Sequence, residues 1–244
     1  MGKRTGIGWT QHTWNPWVGC TKVSPGCAHC YMFYEQARFG KDPSVVCRTK
    51  TMRTPFGWHE PSFVFTCSWS DWFHKVADEW REEAWETIKQ TPHLTYQILT
   101  KRPGRIARHL PGDWGDGWPN VWLGVSVESR AYLNRVAVLC DVPAAVHFVS
   151  AEPLLGSVRL YDFMPPHGTL QWVIGGGESG ADARPCNPEW LRTLRDDCQS
   201  HAVPFFLKQL GGFPNPRAHA LAVLDGKTHT EMPPARAAEE GKAP

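Results

Sequence analysis

No apolar run in this 244-residue chain approaches the roughly 18–20 residues of a membrane span. Its opening stretch, MGKRTGIGWTQHTWNPW, lacks the apolar core of a secretory signal. Residue 6 is Gly, so the Gly2 start lacks the hydroxyl residue of a myristoylation site. Strong net charge is missing too: 26 Lys and Arg against 24 Asp and Glu leave +2, so bulk basicity does not point to nucleic acid. Cysteine is too sparse for a disulfide scaffold, because eight residues are about 3% of the chain and such scaffolds carry about 8–10%. None of the eleven histidines falls in an H-E-x-x-H spacing. With 41% hydrophobic residues the chain is also far from disordered composition. The expectation is a soluble cytoplasmic protein with no membrane partner. In that compartment clustered cysteines serve as metal ligands or catalytic groups more than as disulfides.

What is present is a cluster. Cys20, Cys27 and Cys30 fall within eleven residues, in GCTKVSPGCAHCY, while Cys47, Cys67, Cys140, Cys186 and Cys198 are scattered singly. Pro25-Gly26 inside the longer gap demands a turn, which folds the chain back so that three sulfurs can converge. Gly19 and Gly26 each precede or adjoin a cysteine, where a missing side chain lets backbone approach a bound group. Three readings stand side by side. A structural zinc needs a fourth ligand, and His29, between two of the cysteines, is awkwardly placed to be it. An iron–sulfur cluster with three cysteine-bound irons and one open iron needs no fourth residue, and is favoured. Three buried free thiols are the plain alternative.

Six apolar runs, SFVFTC, HLTYQILT, NVWLGVSV, AVHFVSA, LQWVIGG and VPFFLKQ, start 25 to 33 residues apart between 62 and 203. Helical patterns lie between them at 70–90, 128–142 and 187–201. The first carries Trp72, Val76, Trp80 and Trp85 at near-helical spacing. The last opens with Asn187 as N-cap and Pro188 at the first helical position. Strands alternating with helices imply a parallel sheet. With one more strand near the cysteine loop, the expectation is an α/β fold, a partial (β/α) barrel of about six to seven units rather than a doubly wound sheet. Residues 1–234 read as one domain, and 235–244 as a flexible tail.

Polar or ionisable groups follow every predicted strand: Ser68 and Asp71, Lys101 and Arg102, Ser126 and Glu128, Ser150 and Glu152, Glu178 and Ser179, Lys208 and Gln209. In barrels of parallel strands that rim is where active sites are built. A strand reaching solvent must also end in polar residues, but that explains poorly three glutamates and two lysines at equivalent places. Lys101, Glu128, Glu152, Lys208 and Gln209 are the candidate catalytic or substrate-positioning residues. In WVIGGGESG the glycines permit close approach and Glu178 presents a carboxylate at the strand tip. The triplet Gly175, Gly177, Gly180 meets a dinucleotide fingerprint only in spacing, since Pro185 interrupts where its helix should open. ILTKRPGR gathers Lys101, Arg102 and Arg105 around a proline turn, either an anion site or a solvated basic turn. The first 54 residues hold eight Lys and Arg against two acids, a local +6 hidden by the near-neutral whole, able to attract a phosphate-bearing partner. The tryptophans read as mostly core, with Trp69, beside the rim, the best candidate for stacking on a base.

A three-cysteine loop after the first strand of such a barrel resembles the radical S-adenosylmethionine (SAM) superfamily. The chain is similar, more closely, to three-cysteine-motif proteins of phages and bacteria regarded as radical-SAM-like. GWTQHTWNPWVGCTKVSPGCAHCY, ILTKRP, GVSVES, SAEPLLG, IGGGESG, RPCNPEWLRTLRDDC and PFFLKQLGG carry the likeness, from about Gly8 to Pro234. It implies a [4Fe-4S] cluster on Cys20, Cys27 and Cys30, SAM on the fourth iron, and a flavodoxin- or ferredoxin-like electron donor. It further implies an enzyme that cleaves SAM reductively and abstracts hydrogen from a substrate at the barrel mouth, with a tilt by analogy towards a nucleotide or nucleic acid. His29 takes the ring-bearing position before the last cysteine. Ser68, Asp71, Ser126, Gly176, Gly177, Glu178 and His29 are the implied cofactor-binding residues. Two departures are plain. The first cysteine gap holds six residues where the superfamily has three, and Gly176-Gly177-Glu178 comes about five units after the strand that carries the superfamily's G-G-E. Glu178 is therefore set towards ribose or substrate, and Ser68 and Asp71 compete for the SAM amine. The remaining alternative is a zinc-stabilised nucleic-acid-binding module without catalysis.

Overall fold

The computed structural model describes residues 5–212 and 222–234. Its strands are β1 (His12–Trp14), β2 (Trp17–Val18), β3 (Cys47–Arg48), β4 (Ser62–Thr66), β5 (Leu94–Thr100), β6 (Val121–Ser126), β7 (Val146–Ala151), β8 (Leu170–Gly176), β9 (Phe205–Gln209), β10 (Val223–Leu224) and β11 (Lys227–Thr228). The helices are α1 (Tyr31–Arg38), α2 (Asp78–Lys89), α3 (Asn134–Cys140) and α4 (Pro188–Ser200). Seven strands form one sheet in the order β1-β4-β5-β6-β7-β8-β9, every neighbouring pair parallel. Sequential order with parallel pairing means each crossover returns on the same side, which curls the sheet into a half-barrel. That is the partial barrel expected from the spacing of the apolar runs. Two short antiparallel pairs, β2–β3 and β10–β11, flank it. The tail expected over 235–244 lies outside the described residues.

The strands read as near-continuous apolar runs because both faces are covered. On one face Val64, Leu123, Val125 and Val173 join Ala84, Trp85, Ile88, Val136, Leu139, Leu191 and Leu194 of the helices. On the other face, which no helix covers among the described residues, Trp9, Phe65, Trp122, Phe148, Trp172, Ile174 and Phe206 fill the concave interior. Gly124 belongs to this inner face, where a Cβ would stand 2.4 Å from the Phe148 ring. Eight of the thirteen tryptophans are buried, as their packing role requires.

Two expected helices are shorter than their patterns. The first begins only at Asp78, because Asp71 takes Phe73 N at 2.9 Å and His74 takes Val76 N at 3.3 Å, holding 71–76 as capped turns. Trp72 is buried against Trp14, Trp17 and Trp85, while Val76 is exposed, so neither belongs to a helical stripe. The second splits into a 3-10 turn (Arg130–Tyr132) and α3. The third matches its signals: Asn187 Oδ1 accepts from Glu189 N at 3.0 Å, and Pro188 opens α4. The β5–β6 and β7–β8 crossovers carry only 3-10 turns.

Candidate active site at the barrel mouth

The C-terminal ends of the sheet strands open on a cavity of about 520 Å³, within the range of small-molecule sites. Trp9, Phe65 and Leu99 of the concave core supply its apolar floor. One wall is the segment joining β1 to β4. Gly19, at φ +91°, turns that chain where a Cβ would stand 2.2 Å from Val45 O, and Cys20 N donates to Pro43 O at 2.9 Å. Pro25 then opens a 3-10 turn (Pro25–Cys27), and Cys30 caps α1. The turn demanded by Pro25-Gly26 is thus formed, and Cys20, Cys27 and Cys30 all line the cavity.

Burial, then the nearby Asp71 carboxylate, pushes the Cys20 thiol up to about 12, with the Arg102 guanidinium opposing it from 3.9 Å. Burial also raises Cys30. A fourth thiol, Cys67, lines the same cavity from the end of β4, in the left-handed region at φ 53°, and burial raises it well above an ordinary thiol. Among the described residues no group of three or more Cys, His, Asp or Glu side chains is arranged to hold a metal ion. The donor chemistry nevertheless suits a thiolate-bound centre: one loop presents three soft sulfur ligands to a single cavity. Ligation there would displace thiol protons.

The expected site residues divide by what they already bind. Asp71 is a buried junction: Oδ1 accepts from Thr100 Oγ1 (2.7 Å) and Phe73 N (2.9 Å), Oδ2 from Lys101 N (3.0 Å) and Arg102 Nη1 (3.2 Å). Glu128 does not line the cavity at all. Its carboxylate, 1% exposed, accepts from Ser24 Oγ at 2.7 Å, from Arg135 Nη1 at 3.0 Å and from Lys101 Nζ. Burial alone would raise Glu128, but Lys101, Ser24 and Arg135 outweigh it and hold the group below the usual carboxylate value. A Cβ on Gly26 would fall 2.4–2.7 Å from the Glu128 side chain. Glu128 therefore fastens the cysteine loop from behind, a correction to its expected place on the catalytic rim.

Glu178 lies at the tip of β8, where Arg184 grips it through Nη2 (2.6 Å), Nε (2.8 Å) and its own N (3.0 Å). His29 Nδ1 sits 3.0 Å from Glu178 Oε2. Despite burial, which raises it, these partners bring Glu178 down to about 2. Its oxygens are engaged by the chain itself, so a SAM amine or ribose would have to displace Arg184 or His29. Gly176 is also off the cavity wall; a Cβ there would meet Glu152 Oε1 at 2.7 Å. The basic turn after β5 is no free anion site, since Lys101 pairs with Glu128, Arg102 with Asp71 and Arg105 with Asp78.

His29, Asp71, Lys101, Gly177 and Glu178 line the cavity while bonded within the chain, and Ser68, Trp69, Ser126, Glu152, Lys208 and Gln209 complete the lining among the expected residues. Lys208 Nζ is 3.1 Å from Glu152 Oε1, and Ser150 Oγ donates to Oε2 at 3.0 Å. Gln209 Nε2 donates to Gly177 O at 2.7 Å, bracing the β8–β9 tips. Ser24 escaped sequence reasoning because its partner Glu128 lies 104 residues away; Arg135 and Arg184 stand only seven and six residues from theirs, but across turns, where spacing carries no pairing signal. Cys67 ends the apolar run SFVFTC, and that strand-end place is the signal for its position on the rim, though not for a role there.

A half-barrel of parallel strands whose mouth gathers thiols, a half-buried lysine–glutamate pair and an apolar floor defines the class of protein, an α/β barrel-like fold with a polar cavity at its strand ends. Residues 4–233 match the family model described as protein of unknown function DUF5131, and the chain belongs to that family. No curated protein and no solved structure matches it. Among the described residues no helix is long and apolar enough to cross a membrane.

Proposed function

We propose that the protein is a radical-SAM-like enzyme that holds a [4Fe-4S] cluster on Cys20, Cys27 and Cys30 and binds SAM beside it. The observation that carries this reading is that all three thiols of the C-x6-C-x2-C loop face one cavity at the strand ends of the half-barrel. When bound, cluster and SAM supply hydrogen-atom abstraction through one-electron cleavage of the SAM S–C5′ bond. Ser24 and Glu128 fix the loop, and the His29–Glu178 contact fixes its second half against β8. Trp9, Phe65 and Leu99 keep water from the cavity floor. Glu152, Lys208, Gln209 and Ser126 orient the substrate, the first two as a charged pair able to exchange a hydrogen bond with it. The eight cysteines are free thiols, consistent with a reducing cytoplasm. An electron donor of flavodoxin or ferredoxin type completes the system.

Anaerobic purification followed by iron and sulfide analysis tests this directly. The expected result is a brown protein with about four irons, an EPR signal on reduction, and 5′-deoxyadenosine released from SAM. Substituting each of Cys20, Cys27 and Cys30 by Ser should abolish iron retention. Cys67 beside the triplet favours one second reading, a four-thiolate zinc site stabilising a nucleic-acid-binding module. A colourless protein with stoichiometric zinc, lost on Cys67→Ser, would establish that reading and overturn the first.

A further inference from the structure

Among the described residues nine large hydrophobic side chains are exposed, and five of them, Val23, Tyr31, Tyr34, Phe39 and Val45, lie on the cysteine loop, α1 and the turn after it. Such concentration on one short stretch marks an interaction surface, whereas singly scattered exposed apolar residues need no explanation. The aromatic members are the most informative. Tyr31 is 51% exposed, Tyr34 53% and Phe39 66%. Tyr31, Tyr34 and Arg38 stand at i, i+3 and i+7, hence on one face of α1. Tyr31 also lines the cavity, its hydroxyl donating to Ser68 O at 2.5 Å, so this face of α1 reaches the mouth.

Charge on this stretch is positive. Arg38 and Lys41 form no ion pair among the described residues, and Lys22, over the Phe33 ring at 4.9 Å, donates only to Ala28 O. Glu35 is half-buried. Asp42 turns its carboxylate to Ser44, and Asp182 takes the Tyr34 hydroxyl at 3.5 Å. Cations interleaved with exposed rings suit a chain that offers phosphates and unstacked bases in alternation. An acidic protein would match the cations but gives no reason for several exposed rings in a row.

We infer that the α1 face, through Tyr31, Tyr34 and Phe39 with Lys22, Arg38 and Lys41, binds a single-stranded nucleic acid and leads it to the cavity. The inference rests on the proposed enzyme reading only for what happens in the cavity; binding itself needs no cluster. Each ring can stack one base, and each cation can neutralise one phosphate.

The test is fluorescence anisotropy with a labelled mixed-sequence single strand of about 16 nucleotides, against the matching duplex and heparin, using full-length protein with and without reconstituted iron. Single strands should bind more tightly than duplex. The log–log salt slope should be near −2, about −0.7 for each of three phosphates. Phe39→Ala and Tyr34→Ala should each weaken binding by about 5- to 150-fold, and R38E/K41E should abolish it. Both ring positions are exposed, so circular dichroism and melting should be unchanged. Binding that favours heparin or duplex and ignores the ring substitutions would overturn the inference, as would no binding of the strand. Persistent strand binding by a protein that retains no iron would sink the enzyme reading and leave this one standing.

Discussion

Replacing Glu128 by Ala removes the one buried carboxylate that joins the cysteine loop, β5 and α3. The cost follows from the partners left behind. Lys101 is 19% exposed beside the cavity and can regain water. Arg135 cannot leave so easily: its side chain is 10% exposed, it donates to Ser126 O at 2.8 Å, and it lies over the Tyr132 ring at 4.2 Å. Breaking a buried pair by deleting one partner costs about 3–5 kcal/mol. At about 2–4 °C per kcal/mol for a chain of this size, the melting midpoint falls by roughly 6–20 °C. Glu128→Gln, which keeps the volume and an acceptor for Ser24, should lose less. Urea unfolding of the three proteins at neutral pH measures the differences. The pH dependence has a fixed sign. Folded Glu128 titrates below its ordinary 4.5, so its stabilisation is complete above that value and vanishes as pH falls through the depressed folded value. The gap between wild type and Glu128→Ala should therefore be constant through the neutral range and close in acid. A loss under about 1 kcal/mol, the size of one ordinary hydrogen bond, or a gap that widens in acid, would refute the anchoring role.

Three further predictions concern other links. Glu178, held at about 2 by Arg184 and His29 against burial, should contribute stability above pH 4.5 that disappears only as pH falls towards 2; Glu178→Gln should flatten that acid limb of the melting curve, and an unchanged limb would count against the clamp. Gly124→Ala puts a methyl 2.4 Å from the Phe148 ring, and overpacking of this kind costs about 1–3 kcal/mol; a neutral result in urea unfolding would mean the inner aromatic layer is looser than its contacts imply. Asn187→Ala removes the side-chain cap of α4 and should cost about 1 kcal/mol, with faster amide exchange confined to the first turn of that helix.

Strand positions were legible because a strand buried on both faces must be apolar at nearly every residue, and turn residues then mark its ends. Leu170–Gly176 was found to the residue on that basis. The stretch over 70–77 misled because Trp72 is buried whether the backbone is helical or turned, so the apolar spacing alone could not reveal that Asp71 and His74 cap the local amides. The rim was legible in the same limited sense. Strand-end logic located Asp71, Glu128, Glu152 and Glu178 at one end of the sheet, as the structure has them. Which of the four can meet a substrate depends on neighbours that strand spacing does not encode: Ser24 lies 104 residues from Glu128 and His29 149 from Glu178. Three carboxylates are thereby drawn into holding the loops, and each is pinned by at least one arginine. Glu152 is the exception. It meets a lysine across the cavity wall rather than an arginine behind it, and a lysine's compact ammonium re-pairs more readily than a planar guanidinium fork. Of the expected acidic groups, Glu152 is therefore the one that an incoming substrate can engage without loosening the cysteine loop.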